Sequence, residues 1–539
     1  MQITDMDHNQ KIAVQSCGLP TKIIAGAGSG KTRTVINRII YGVTNFDYEP
    51  SSILALTFTK KAADEMRERL AKEGVPVEDS KNEIEGVTVG TFHSVCLQIL
   101  QKFWFKLSKH SLPPLLIDKT QILKEVMKEY KENDASIEKN TEKNEQNSFE
   151  MKDPQILKMI AEQIGYSKIM MLSPADYANN FNDFLYSEDK RENTVLAVSS
   201  KTIFSLYSPN QFAEIFKLYE IKKTQLHYID FEDILILAAH LIKNYTLVSD
   251  YVFNKYDHFY TDESQDISLI QEYLLYLFTL GKKDVCVVGD PNQTIYTFAG
   301  ANPNFLREFP TNLSLDCLPS DLSKVNLNIN YRSKHELVEF GNIIICNSDF
   351  GEGIDLVSNR ESGANIYFQR FINDDEEAVA VIDRIKYLLN NTDLNPSDIA
   401  ILTRVNLQQP VFVNELKKQK INYRFIKKGT DISTDATDAI NIGTMHSVKG
   451  LEFKAVFIPG MSEGFMPYML SDTPESMREE RRLLYVAITR AMDSLYISYA
   501  TGKGSAQKGN RRLTRFLKLI WPQKSKASQY SFYKTQNTI

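Results

Sequence analysis

The segment Ala25-Gly-Ala-Gly-Ser-Gly-Lys-Thr32 limits what this chain can fold into more than any other stretch of its 539 residues. It follows the apolar run Lys22–Ala25 and opens the helix-like segment Thr32–Tyr41. It departs from the pattern GxxxxGK[ST] only in placing Ala25 at the first glycine. Such a loop works in one geometry. A strand ends, the glycines turn successive backbone N–H groups towards phosphate oxygens, and a helix starts there with its favourable N-terminal potential. In this reading Gly26, Ala27, Gly28, Ser29 and Gly30 form a phosphate cradle, and Arg33 follows them on the helix. Lys31 reaches the β- and γ-phosphates, and Thr32 holds Mg²⁺. The implied ligand is ATP or a close relative.

The rest of the chain repeats the strand–turn–helix rhythm. Ile53–Thr57, Val87–Val89, His258–Thr261 and Val285–Val288 read as further buried strands, and Lys61–Leu70 as a covering helix. A second series runs through Asn326–Asn328, Asp398–Leu402, Ala439–Thr444, Ala455–Ile458 and Ser494–Tyr499, with helices at Glu377–Leu389 and Val411–Lys418. Two α/β domains account for both series. Between Thr91 and Tyr260 the alternation fails, and residues 95–225 read as a mostly helical insertion in the first domain. Within it, Glu132–Phe149 carries almost no aliphatic side chains and reads as a mobile loop. The tail after Trp521 is polar and reads as frayed.

Composition narrows the function classes. The net charge of −5 argues against a protein held on nucleic acid by bulk positive charge, so any such site must be a local channel with stacking surfaces. The cysteines Cys17, Cys96, Cys286, Cys317 and Cys346 form no CxxC pair, which disfavours a zinc site, an iron–sulfur site or a disulfide framework. The polar start MQITDMDHNQ is unlike a signal peptide, and no apolar run is long enough for a membrane span. The expectation is a soluble cytoplasmic protein that uses no membrane.

Hydrolysis of a bound nucleotide needs a second acidic element. Asp262-Glu263 closes the strand His258–Thr261 and is followed by Ser264-Gln265-Asp266. Asp262 is the candidate to hold the metal through water. Glu263 is the candidate to orient and deprotonate the attacking water.

These segments resemble the UvrD/Rep/PcrA group of superfamily 1 helicases. Asp7-His-Asn-Gln10 looks like the family's Q motif, and Thr57-Phe-Thr-Lys-Lys-Ala-Ala-Asp-Glu-Met66 like motif Ia, with Lys60 where Asn is usual. Gly90-Thr-Phe-His-Ser94 matches motif Ib and Asp262-Glu-Ser-Gln-Asp266 motif II, with Ser264 where an aromatic is common. Val288-Gly-Asp-Pro-Asn-Gln-Thr-Ile-Tyr296 matches motif III and Asn330-Tyr-Arg-Ser333 motif IV. Thr444-Met-His-Ser-Val-Lys-Gly-Leu-Glu-Phe453 matches motif V, and Glu480–Ala491 motif VI. All stand in the family's order.

The resemblance implies an α/β fold of two RecA-like P-loop domains with a helical, 1B-like insertion in the first. The boundaries it suggests are 1–104 and 226–310 for the first domain, 105–225 for the insertion, 311–520 for the second domain, and 521–539 for a polar tail. ATP would lie between the domains. Gln10 would read the adenine, Tyr331 would stack on it, Gln293 would sense the γ-phosphate, and Gly450 and Glu452 would border the nucleotide. Arg332 and Arg490, from the second domain, would reach the γ-phosphate on closure. Single-stranded DNA, and DNA junctions, would be held by Phe58, Thr91, His93, Tyr296 and Phe298 on the first domain. Arg404, Asn406, Thr444 and His446 would hold it on the second. Ala299 stands where the family has an arginine beside an aromatic, here Phe298.

Only residues 334–441, 108 in all, separate motif IV from motif V. That length builds the second domain itself and leaves no room for the large 2B subdomain of bigger relatives. The leading expectation is a 3′→5′ DNA helicase and translocase, its polarity taken from the family. The alternatives are a motor subunit of a nuclease-linked repair or antiviral complex and a DNA-sensing ATPase with little unwinding. A small-molecule P-loop kinase is a distant further alternative. DNA and RNA are not distinguished by these residues.

Overall fold

A computed structural model describes residues 5–79, 82, 84–133, 154–175, 203, 206–315, 321–345, 354–426, 438–469, 471, 473–502, 511–518 and 520. Two six-stranded parallel sheets organise it. The first is built from β1 (Thr21–Ala25), β2 (Ile53–Thr57), β3 (Thr88–Thr91), β4 (His258–Thr261), β5 (Asp284–Gly289) and β6 (Ser323–Leu327), in the order β3-β2-β4-β5-β1-β6. A two-residue pair, β7 (Ile329–Asn330) with β8 (Val357–Ser358), follows the crossover. The second sheet holds β9 (Asn365–Phe371), β10 (Ile399–Thr403), β11 (Tyr423–Phe425), β12 (Ile440–Thr444), β13 (Phe453–Ile458) and β14 (Ala491–Ala500), in the order β11-β12-β10-β13-β14-β9.

Helices cover both faces of each sheet, which is why the strands read as apolar runs. Along β2, Ile53 and Ala55 enter the core on one face, while Leu54 and Leu56 enter the core on the other. On the first sheet these covers include α1 (His8–Gln15), α2 (Lys31–Asn45), α3 (Lys60–Lys72) and α4 (Phe92–Phe103). The described part of the insertion is mostly helical. Its helices α5 (Thr120–Asn133), α6 (Pro154–Ile169) and α7 (Pro209–Gln225) bury a core of their own around Leu123, Ile160, Phe212 and Tyr219. The chain then returns to the first sheet through α8 (Phe231–Asn244), α9 (Thr246–Lys255) and α10 (Leu269–Thr279). A buried ion cluster pins the insertion there. Lys168 of α6 meets Asp230 at 2.7 Å, and Lys223 of α7 meets Asp233 of α8 at 2.6 Å, so each buried charge has an opposite one. The second sheet is covered by α11 (His335–Ile345), α12 (Asp374–Asn391), α13 (Gln409–Lys418) and α14 (Pro474–Ile488).

One expected strand belongs elsewhere. Asn326–Asn328 was assigned above to the second series, but Ser323–Leu327 forms the edge of the first sheet, parallel to β1. Val325 and Leu327 are buried in the first sheet's core, so the strand is held there before the chain crosses. Arg332 therefore lies on the crossover, just after the first sheet's last strand, rather than within the second sheet. In the second sheet two strands, β9 and β11, had no counterpart in the sequence reading, nor did the short pair β7 and β8. β9 and β11 are the edges of that sheet, and β9 buries only Ile366 and Phe368 fully, so neither carries a continuous apolar run.

The segment read as a mobile loop falls outside the described residues except for its first two, and the polar tail lies wholly outside them. Cys317 and Cys346 also lie outside, while Cys17, Cys96 and Cys286 are free and buried. Among the described residues no helix is long and apolar enough to cross a membrane.

Candidate nucleotide site and strand track

The P-loop joins β1 to α2. Ala25 is the last residue of β1 and needs no special backbone conformation, which explains why alanine can stand there. The left-handed positions are Gly28, at φ +69°, and Gly30, at φ +79°. The Ser29 hydroxyl donates to the Gly26 carbonyl at 2.8 Å and tightens the turn. Gly30 is the N-cap of α2 and offers no side-chain acceptor, so the helix's first amides stay open to an anion. Lys31 and Arg33 stand in that first turn.

Across from it, the Thr32 hydroxyl donates to the Asp262 carboxylate at 2.6 Å. A hydroxyl beside a buried carboxylate is an oxygen donor set that suits Mg²⁺. Burial, with the neighbouring Glu263 charge, pushes the Asp262 carboxyl up to about 6. Burial also opposes charge on Glu263. The Lys31 and Lys449 ammoniums and the Gln265 amide overcome that and hold its carboxyl down at about 2. Glu263 sits in the left-handed region at φ 53°, uncommon for a residue with a side chain and the sort of strain found at working sites.

Motif IV lies directly on this loop. The Asn330 amide donates to the Ala27 carbonyl at 2.7 Å, and the Tyr331 N–H donates to the Gly28 carbonyl at 2.9 Å. A Cβ on Gly28 would fall 2.8 Å from the Arg332 Cβ, so glycine is required there by space as well as by φ. The Tyr331 hydroxyl donates to Asp7 at 2.8 Å, and Asp7 caps α1 by accepting from the Gln10 N–H at 2.8 Å. Gln10 is buried, and its side-chain amide donates to the Ser29 carbonyl at 3.0 Å. It is thus tied to the P-loop.

The two arginines converge from motifs IV and VI. Arg332 Nε donates to Glu452 at 2.6 Å. Arg490, only 2% exposed, donates to the Gln293 side-chain oxygen at 3.2 Å and to the Leu451 carbonyl at 3.2 Å. Burial, reinforced by the like charge of Arg332, pulls the Arg490 guanidinium down to about 9. Sequence reasoning missed Lys449. Its ammonium bonds Asp266, donates to the Gln293 carbonyl at 2.9 Å and lies 3.9 Å from Glu263. The signal was available, since Lys449 is the cation within motif V, next to Gly450, whose φ is +85°.

Motif III continues from Gln293 into the candidate strand track. Tyr296 is 6% exposed, stacks on Phe58 at 5.5 Å and donates its hydroxyl to the His446 carbonyl at 3.2 Å. It is core, joined to the cluster beneath the second sheet. Phe298 is 41% exposed and meets the His446 ring edge-on at 5.6 Å, which leaves a ring surface open. Thr91 is the N-cap of α4, and the adjacent His93, pushed by burial down to about 4, is neutral at pH 7. Beside it, at 6.1 Å, stands Phe231, 45% exposed at the start of α8, an aromatic that sequence reasoning passed over. Asn406 is exposed, and the Thr444 hydroxyl accepts from the Ser447 N–H at 3.4 Å. Arg404 departs from expectation. Its guanidinium is engaged by the buried Glu480, with Nε at 3.0 and 3.1 Å from the two oxygens, so it is not a free cation for a strand.

Motif III is tied to the second unit at both ends, although Ala299 itself offers no polar side chain. Gln293 bonds Arg490 of motif VI, and the Thr297 hydroxyl donates to Glu479 on α14, just before that motif.

Comparison with known proteins agrees with this geometry. Residues 6–314 match the UvrD/REP helicase N-terminal domain, and residues 325–431 and 426–502 match the UvrD-like helicase C-terminal domain. The ATP-dependent DNA helicase UvrD2 of Mycobacterium tuberculosis is 26% identical over 618 residues, spanning 97% of this chain and 82% of the relative. The ATP-dependent DNA helicase PcrA of Staphylococcus aureus is 24% identical over 685 residues, spanning 96% and 86%. The ATP-dependent DNA helicase Rep of Buchnera aphidicola (subsp. Acyrthosiphon pisum) is 30% identical over 433 residues, spanning 79% and 58%. With both helicase domains matched in order around one P-loop cleft, the chain belongs to the UvrD/Rep family of ATP-dependent DNA helicases.

Proposed function

We propose that this helicase moves 3′→5′ along single-stranded DNA and separates the duplex ahead of it, hydrolysing ATP with Mg²⁺. One observation carries the coupling. The short segment from Gln293 to Phe298 bonds Arg490 at one end and faces His446 at the other, so a single piece of chain touches both the nucleotide cleft and the strand track. A shift at either end is then felt at the other.

In this reading Lys31 and the open amides of α2 bind the β- and γ-phosphates. Thr32 and Asp262 would hold Mg²⁺, which when bound offsets phosphate charge. Glu263, held ionised, takes the proton of the attacking water. Arg332 and Arg490 stabilise charge on the transferring phosphoryl group when the two sheets close on ATP. Tyr331 backs the adenine while Asp7 holds its hydroxyl. Phe298, Phe58 and Phe231, with His93 and His446, supply the base-contacting surface, and Thr91, Asn406 and Thr444 the polar contacts to the strand.

The test is strand displacement on duplexes with a 3′ or a 5′ single-stranded tail, with ATP turnover recorded in parallel. Unwinding of the 3′-tailed substrate alone is expected. Unwinding of the 5′-tailed substrate alone overturns the polarity. ATP turnover stimulated by single-stranded DNA without unwinding of either favours the second reading, a motor subunit of a nuclease-linked repair or antiviral assembly. That second reading is favoured by the short span between motifs IV and V, residues 334–441, which leaves no room for a large inserted subdomain.

A further inference from the structure

The backbones that carry Arg332 and Arg490 are fastened to each other. The Ser333 hydroxyl donates to the Ala491 carbonyl at 2.6 Å, and the Lys334 N–H donates to the Met492 carbonyl at 3.0 Å. Onto this junction comes a third arginine, outside every motif singled out in the sequence. Arg360 Nη1 donates to the carbonyl of Arg332 at 2.7 Å and to the carbonyl of Met492 at 3.2 Å, and Nη2 donates to Asp493 at 2.8 Å. Its guanidinium therefore grips the residue that bears one of the two arginines and the turn that follows the other.

The segment that delivers Arg360 is itself anchored. Asn342 of α11 donates to the Leu356 carbonyl at 2.8 Å and accepts from the Leu356 N–H at 3.2 Å. The Asn359 N–H donates to the Asn330 carbonyl at 2.8 Å. The Ser358 hydroxyl donates to the Ser333 carbonyl at 2.8 Å and accepts from the Arg360 N–H at 3.0 Å. Arg360 thus hangs from a braced strand end rather than from a free loop.

We propose that Arg360 is a positioning residue for ATP hydrolysis: it locks the exits of motifs IV and VI into one rigid piece, and so sets how Arg332 and Arg490 present their guanidiniums to the γ-phosphate. The inference rests on the proposed role of those two arginines. The half-exposed Arg360–Asp493 ion pair contributes little stability by itself, at about 0–1 kcal/mol for such pairs. What it supplies is geometry. A planar fork with several fixed donors can hold two carbonyls and a carboxylate at once, which a lysine ammonium cannot reproduce. Misplacing a catalytic group by about 1 Å can cost on the order of 100-fold in rate.

The test is steady-state ATP turnover by the full chain, saturated with single-stranded DNA, for Arg360→Ala and Arg360→Lys, each also in an Arg332→Ala background. Arg360→Ala is expected to lower kcat roughly 10-fold or more while the ATP KM stays within about 2-fold, because the group acts on charge that develops after binding. Arg360→Lys should recover only a small part of the loss. In the Arg332→Ala background the further loss should shrink to about 3-fold or less, since one of the two groups it aligns is gone. A kcat within 2-fold of wild type for a folded Arg360→Ala overturns the proposal. So does an equal fractional loss in both backgrounds, which is what a merely structural role produces. If Arg360→Ala does not fold, Arg360→Lys carries the same comparison. Wild-type turnover by Arg332→Ala overturns the underlying reading of the arginines; loss there with none in Arg360→Ala overturns this inference alone.

Discussion

Replacing Glu479 by glutamine should stabilise the protein at pH 8 and much less so at pH 5. Glu479 lies on α14 and is buried against motif III, where the Thr297 hydroxyl donates to its Oε2. Its other oxygen is buried without a hydrogen-bond partner. Arg482, the nearby cation, is bonded instead to Glu475 at 3.3 Å. Burial is the main cause that pushes the Glu479 carboxyl up, to about 7, and the charges of Glu480 and Glu475 add to it. The Thr297 hydrogen bond and Arg482 oppose the rise, and Tyr166 of α6 faces the same group. An acid whose value is raised by folding binds its proton more tightly in the native state. Its contribution is therefore complete below about 4.5, declines as pH rises towards about 7, and is gone at pH 8. The distance from 4.5 to about 7 corresponds to an upper bound of about 3 kcal/mol. Glutamine keeps an acceptor for Thr297 and removes the buried charge. Urea unfolding followed by circular dichroism at both pH values measures the difference. A Glu479→Gln variant whose stability relative to wild type is the same at pH 5 and pH 8, or lower at pH 8, refutes the reasoning.

Three further outcomes are expected. Glu263→Gln should still bind ATP with Mg²⁺ but hydrolyse it at least ~100-fold more slowly, the scale of a general base; normal turnover would mean that another group positions the water. Tyr331→Phe deletes only the hydroxyl that donates to Asp7 and keeps the ring, so the ATP KM should rise about 2- to 10-fold with kcat unchanged, from a hydrogen bond worth about 0.5–1.5 kcal/mol. An unchanged KM would show that the ring needs no tether. Phe298→Ala should slow translocation on end-labelled single strands more than it slows basal ATP turnover, lowering the nucleotides moved per ATP; stacking of this kind is worth ~1–3 kcal/mol per base. Translocation at the wild-type rate by the folded variant removes Phe298 from the track.

Much of the site was legible because its parts are local. The P-loop, Asp262-Glu263 and the motif VI helix each declare themselves within a dozen residues. Their chemistry depends on backbone turns and helix ends that short sequences specify. The departures from expectation share a different cause. Ser323–Leu327 has the same alternation in either sheet, and only pairing with β1, some 300 residues away in sequence, decides where it lies. Tyr296 and Phe298 are two residues apart in one motif, yet one is core and the other is half-exposed. Arg404 is named from its motif as a strand contact, and only the fold shows Glu480 beside it. The edge strands β9 and β11 carry too little apolar alternation to be seen without their neighbours.

The sequence by itself therefore pointed to a P-loop protein with parallel sheets and to the family it belongs to, and it nominated the residues proposed to handle phosphate and water. Those properties rest on residue type and on spacing along the chain. Only the tertiary structure decided which cations are free and which are paired, that Lys449 ties motif V to motif II, and that Arg360 fastens motifs IV and VI together. Those facts are distances between residues tens to hundreds of positions apart. A guanidinium's role is set by whichever carbonyl or carboxylate the fold places within about 3 Å of it, and nothing in its own neighbourhood of sequence specifies that.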